Sequence, residues 1–73
     1  MSNTIEYRDY IGSVEFSPED ATFFGRVLGI RALISYEGDN AKDLVEDFHC
    51  AVDDYIEMCA AEGIEPEKAV RSI

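Results

Sequence analysis

Histidine and cysteine, the side chains that most readily act as general base or nucleophile near neutral pH, are few in this 73-residue chain. His49 is the single histidine, and Cys50 and Cys59 are the two cysteines. The helical pattern described below puts His49 at the border of an apolar face, and no acid stands at a spacing that would orient it as a general base. Cys50 falls among acidic residues, whose charge disfavours a reactive thiolate, and Cys59 falls among core positions. These residues predict no catalytic centre.

Sequence motifs for metals, cofactors and phosphates are also missing. The cysteines lack zinc-site spacing, residues 37–40 lack the acid spacing of an EF-hand loop, and residues 25–29 do not match a phosphate-binding glycine loop. We therefore expect no cofactor, no metal and no enzymatic activity. One alternative stays open, because three strands followed by a helix could begin a ribonuclease-H-like fold. Glu15, Glu37 and Asp39 would then be the acids of a divalent-metal-dependent nuclease.

The composition excludes several partner classes. Six basic and 16 acidic residues give a formal net charge of −10, which argues against nucleic acid as a direct partner because phosphates need cationic contacts. The hydrophobic fraction of 47% argues against a disordered acidic tail. No apolar run is long enough to span a membrane, and the first four residues carry no basic, apolar signal segment. A cytoplasmic location is the expectation.

The small size of the chain predicts a thin core and favours self-association. Domains below about 80 residues often need a staple or a second copy for stability. On one helix, Cys50 and Cys59 would lie on opposite sides and about 13.5 Å apart along the axis, too far for a disulfide. We therefore expect one domain over residues 1–73 that forms a homodimer or a higher homo-oligomer, through a sheet edge or the helix.

Period-two alternation predicts three strands in the first half of the chain, at about residues 7–16, 22–28 and 33–37. Residues 17–20 supply the turn between the first two strands. Gly12 and Gly25 fall within strands, where a glycine often marks a bulge or a close backbone approach, and curvature of the sheet is the favoured explanation.

Apolar residues at three- and four-residue intervals predict one long helix over about residues 41–62. Asn40 is a good N-cap, Gly63 suits the left-handed position after the helix, and Pro66 prevents its resumption. The predicted fold class is therefore α+β, with a three-stranded antiparallel β-meander packed against one long C-terminal helix.

Acidic residues concentrate on the side of this helix that faces away from Phe48. Between Glu37 and Glu67 the sequence has eleven acids and a single basic residue, Lys42. Such a face either keeps a small protein soluble or attracts a strongly basic partner, and charge alone does not decide between the two. The candidate partner-binding residues are Asp43, Glu46, Asp47, Asp53, Asp54 and Glu57.

Four segments carry a resemblance to a known family. They are YIGSVEF at residues 10–16, FGRVLGI at 24–30, ISYEGD at 34–39 and DFHCAVDDY at 47–55. In order and spacing they strongly resemble HicB-family antitoxins, and residues 63–68 (GIEPEK) match the segment that closes the N-terminal domain of that family. The resemblance covers nearly the whole chain, from about residue 7 to residue 68.

The resemblance implies a bacterial type II toxin–antitoxin partner with a partial ribonuclease-H-like fold and no established nuclease activity. HicB-like proteins bind HicA-like toxins, which are small basic ribonucleases that cut messenger RNA. The implied mechanism is non-enzymatic masking of the toxin's catalytic and RNA-binding surface. Family members usually continue into a DNA-binding segment, whereas this chain ends at Ile73. We therefore expect that segment to be absent and promoter binding to lie outside these residues.

Overall fold

The computed structural model describes residues 3–67 and consists of an antiparallel sheet packed against one C-terminal helix. Five strands precede the helix, and each of the paired strands runs antiparallel to its neighbour. The elements are β1 (Thr4–Tyr7), β2 (Tyr10–Ser13), β3 (Glu15–Ser17), β4 (Thr22–Leu28), β5 (Ser35–Gly38) and α1 (Ala41–Glu62). The α+β class, the antiparallel sheet and the C-terminal helix are confirmed.

The prediction of three strands is wrong, because the first predicted strand is divided twice. Its start lies in a hairpin in which Arg8 and Asp9, at φ values of 51° and 69°, form the two-residue turn between β1 and β2. Such turns normally carry Asn or Gly, so an Arg-Asp pair gives no turn signal in the sequence. The second division falls at Val14, between β2 and β3.

Tyr36 causes the interruption between β2 and β3. Its hydroxyl donates to the carbonyl oxygen of Ser13 at 2.7 Å, which draws that carbonyl away from the strand partner. The Ser13 hydroxyl oxygen instead accepts the backbone N–H of Arg26 at 3.1 Å. A Cβ at Gly25 would collide with the Ser13 carbonyl, so only glycine fits opposite the break. The register with β4 is the same on both sides, and β2 and β3 follow one another along a single edge of β4.

The two faces of the sheet differ in exposure: one is covered by the helix and the other is not. Along β4, Gly25 and Val27 are buried under the helix, while Phe24 and Arg26 point to the opposite side and are exposed. We call the face that carries Phe24 and Arg26 the outer sheet face. Strand β5 pairs with the other edge of β4 and makes most of the contact with the helix.

The helix begins and ends as the sequence predicts. The Asn40 side chain accepts the backbone N–H of Asp43 at 2.9 Å, and Gly63 has a left-handed φ of 70°. One stripe of the helix meets the sheet, where Phe48 is fully buried and Tyr36 packs against it with ring centroids 4.9 Å apart. The buried core consists of Tyr10, Val27, Tyr36, Leu44, Phe48, Val52, Tyr55 and Cys59.

The segment after the helix folds back along the helix and contacts the connection between β4 and β5. The backbone N–H of Glu67 donates to the Tyr55 hydroxyl at 3.0 Å, and the Glu67 carboxylate accepts the backbone N–H of Arg31. Lys68, which the family resemblance includes, and both ends of the expected domain over residues 1–73 lie outside the described residues. Across residues 3–67, no helix is long and apolar enough to cross a bilayer.

Candidate partner-binding surface

The six candidate acids lie on the side of α1 away from its buried stripe, and the two at the borders of this side, Asp47 and Asp53, reach the sheet. Five of them are exposed and Asp53 is half-buried. They spread over about four turns, so their carboxylates cover roughly 20 Å along the helix axis. Lys42 is the one basic residue of α1. We call this surface the acidic helix face, with its members Asp43, Glu46, Asp47, Asp53, Asp54 and Glu57.

Two acids at the start of the helix hold local structure. The Asp43 carboxylate accepts a hydrogen bond from the Asn40 side-chain amide at 3.2 Å, beside the bond that the Asp43 backbone N–H donates to the Asn40 side-chain oxygen. The Asp47 carboxylate reaches over the sheet edge and accepts the backbone N–H of Glu37 at 2.9 Å. An exposed edge strand has unpaired backbone groups, so Asp47 satisfies one of those on β5.

Asp53 fixes the helix to the first hairpin. Its carboxylate accepts the Tyr7 hydroxyl at 3.1 and 3.2 Å and forms an ion pair of 2.8 Å with Arg8. The hydrogen bond to Asp53 raises the pKa of the Arg8 guanidinium. Tyr7 also stacks on His49, with ring centroids 4.0 Å apart. Sequence reasoning missed this cluster because about 45 residues separate the hairpin from its helix partners.

The remaining three acids have no such role. Within residues 3–67, the carboxylates of Glu46, Asp54 and Glu57 make no hydrogen bond or ion pair. Cys50 is exposed among them, and Cys59 is buried in the core, as the helical pattern predicted. The acidic helix face therefore divides into three structural carboxylates and three that are free to meet a partner.

The acids of the nuclease alternative do not meet at one point. Glu15 and Glu37 both pair with Phe24, one from each side, so the exposed Phe24 ring lies between them. Two strand spacings separate their backbones by about 9.6 Å. Asp39 lies beyond the end of β5, in the connection to the helix. In the described part of the chain, no group of three His, Cys, Asp or Glu side chains is placed to hold a metal ion.

Comparison of the chain with protein-family models, with curated proteins and with solved structures found no match.

Proposed function

We propose that this protein is a HicB-like antitoxin, a non-enzymatic inhibitor that binds and masks a small, basic, messenger-RNA-cleaving toxin of the HicA type in the bacterial cytoplasm. The partial ribonuclease-H-like fold expected of that family belongs to the same proposal. The observation that carries it is the acidic helix face, with three carboxylates that the fold itself does not use.

Charge complementarity explains how this face would recognise a ribonuclease. A toxin that binds RNA presents cationic side chains to phosphates. Glu46, Asp54 and Glu57 occupy one side of a rigid helix over about 16 Å, so several carboxylates can face such a surface at once. Their negative charge would speed the encounter and exclude RNA from the same cations.

Apolar contact has to supply much of the affinity, because exposed charges contribute mainly to association rate and specificity. Met58 lies on the same helix and is 52% exposed, and Ile64, just past the helix end, is 56% exposed. Methionine is enriched at protein interfaces, where its flexible side chain adapts to a partner. These two side chains supply exposed apolar area near the C-terminal end of the helix.

The deciding experiment measures RNA cleavage by the basic protein encoded in the neighbouring reading frame, with and without this protein. Stoichiometric suppression of cleavage is the expected result. Failure to suppress, together with no complex in size-exclusion chromatography, would reject the pairing. This protein is also incubated alone with the RNA at the same magnesium concentration, and cleavage there would overturn the non-enzymatic mechanism.

A triple charge reversal locates the contact. Changing Glu46, Asp54 and Glu57 to Lys should weaken toxin binding by about a hundredfold or more. The control changes Glu19, Asp20 and Glu65 to Lys, which alters the net charge equally at exposed positions outside the helix. Equal loss of binding in both variants would show that net charge alone acts, and would reject the acidic helix face as the contact.

A further inference from the structure

The outer sheet face has a row of side chains with a distinctive order of charge. Glu15 and Glu37 are the cross-strand partners of Phe24 on its two sides, so the row reads acid, aromatic ring, acid. Phe24 is 40% exposed.

The neighbouring row of side chains on the outer sheet face carries a positive charge, which is opposite to that of Glu15 and Glu37. Arg26 stands two residues along β4 from Phe24, with Ser13 and Ser35 as its neighbours on the two sides. The serines are small, so the guanidinium projects beyond them. In the part of the chain that the structure describes, that guanidinium has no hydrogen-bond or ion-pair partner, and neither do the Glu15 and Glu37 carboxylates.

A two-fold axis brings these two rows together. In a two-fold symmetric contact every pair of touching residues occurs twice. If residue i of one protomer touches residue j of its partner, then residue j of the first protomer touches residue i of the partner. With an axis that lies between two facing sheets and crosses β4 at Gly25, the Phe24 row of each copy faces the Arg26 row of the other. Each Arg26 then lies over a partner ring, between two partner carboxylates.

Two kinds of interaction favour this contact between the Phe24 row of one protomer and the Arg26 row of the other. A guanidinium over an aromatic face gains a cation–π interaction, and flanking carboxylates add charge-assisted hydrogen bonds. The serines leave room for the facing glutamates. We infer that the outer sheet face binds a second copy of this chain, with Arg26 of each protomer seated in the Glu15–Phe24–Glu37 row of its partner.

The inference goes beyond the proposed function and does not depend on it. The helix covers the opposite side of the sheet, so a dimer of this kind leaves both acidic helix faces pointing outward. Two basic partners could then bind one dimer. The contact also covers the sheet face that the helix leaves bare, since a sheet with one bare face buries only half of its available surface.

Two charge-reversed variants test the contact by equilibrium sedimentation. Arg26→Glu places like charges in both facing rows, and the double variant E15R/E37R does the same with the opposite sign. Each variant alone should dimerise at least about tenfold more weakly than the wild type, whose mass should approach twice the 8.2 kDa protomer. Mixed in equal amounts, the two variants should form a heterodimer, because the side chain at position 26 of each protomer again lies between two charges of opposite sign.

Glu57→Arg, on the opposite side of the molecule, should leave dimerisation unchanged, and circular dichroism checks that each variant is folded. A wild type that remains monomeric at several hundred micromolar would overturn the inference, as would a dimer that Arg26→Glu leaves intact. Failure of the mixture to associate would show that the two rows do not face one another.

Discussion

The hydroxyl of Tyr36 donates a hydrogen bond of 2.7 Å to the carbonyl oxygen of Ser13, the last residue of β2 before the break that separates it from β3. The same hydroxyl lies 3.3 Å from the carbonyl oxygen of Arg26. The buried Tyr36 hydroxyl therefore supplies a hydrogen-bond donor at the break between β2 and β3. Because the ring also packs on Phe48, Tyr36 links the interrupted strand to the helix that carries the acidic face.

Removal of this hydroxyl should destabilise the protein. Tyr36→Phe leaves the displaced Ser13 carbonyl without its donor, and the expected loss is about 1–3 kcal/mol of unfolding free energy, measured by urea denaturation. The comparison is Tyr7→Phe, whose hydroxyl binds Asp53 at a half-buried position and should cost less. Equal effects at the two positions would contradict the role given to Tyr36.

Tyr36 should also make stability fall at alkaline pH. Burial raises its pKa from 10.0 to about 12, so the folded state holds the phenolic proton more tightly than the unfolded state does. That contribution is fully present below pH 10 and is lost as the pH rises toward 12. Unfolding free energies measured across this range should decline less steeply in Tyr36→Phe than in the wild type. Parallel pH profiles would exclude this linkage.

Substitution of Gly12 should lower the free energy of unfolding by an amount that depends on Tyr36. An added Cβ would collide with the Tyr36 hydroxyl and would lie 2.9 Å from Phe48 Cε1. Gly12→Ala should cost about 1–3 kcal/mol, and the double variant with Tyr36→Phe should lose less than the sum of the two single losses. The control is Gly63→Ala, which has no atoms near the added Cβ and should combine additively with Tyr36→Phe.

The Arg8–Asp53 ion pair should contribute little, despite its 2.8 Å length. The two side chains are 52% and 43% exposed, so water and salt screen the interaction. A double-mutant cycle with Arg8→Ala and Asp53→Ala should give a small coupling energy that decreases in 1 M salt. A larger value that salt does not change would mean that the pair is shielded from solvent.

The two thiols should react at very different rates. Cys50 is exposed and Cys59 is 3% exposed, so a thiol reagent should label one cysteine in the native protein and the second only after unfolding. Cys50→Ser should abolish the fast phase, and Cys59→Ser should leave it intact. Rapid reaction of both thiols in the native protein would contradict the burial of Cys59.

Sequence periodicity was sufficient for the elements whose determinants are local. Asn40 and Gly63 bound the helix by hydrogen bonds and backbone conformation within one turn, and the apolar spacing between them identifies Leu44, Phe48 and Cys59 as core. The acidic helix face follows from the same 3.6-residue repeat. The boundaries of β4 follow from the continuous aromatic and β-branched run, between the turn at residues 17–20 and Gly29.

Only the tertiary structure decided how many strands there are and which acids are free. The turn at Arg8 and Asp9 uses left-handed backbone without Asn or Gly, and Arg8 pairs with Asp53 of the distant helix. The break at Val14 depends on a tyrosine hydroxyl more than 20 residues away. The roles of Asp47 and Asp53 likewise depend on partners in distant strands, since hydrogen bonds between remote segments leave no periodic trace in the sequence.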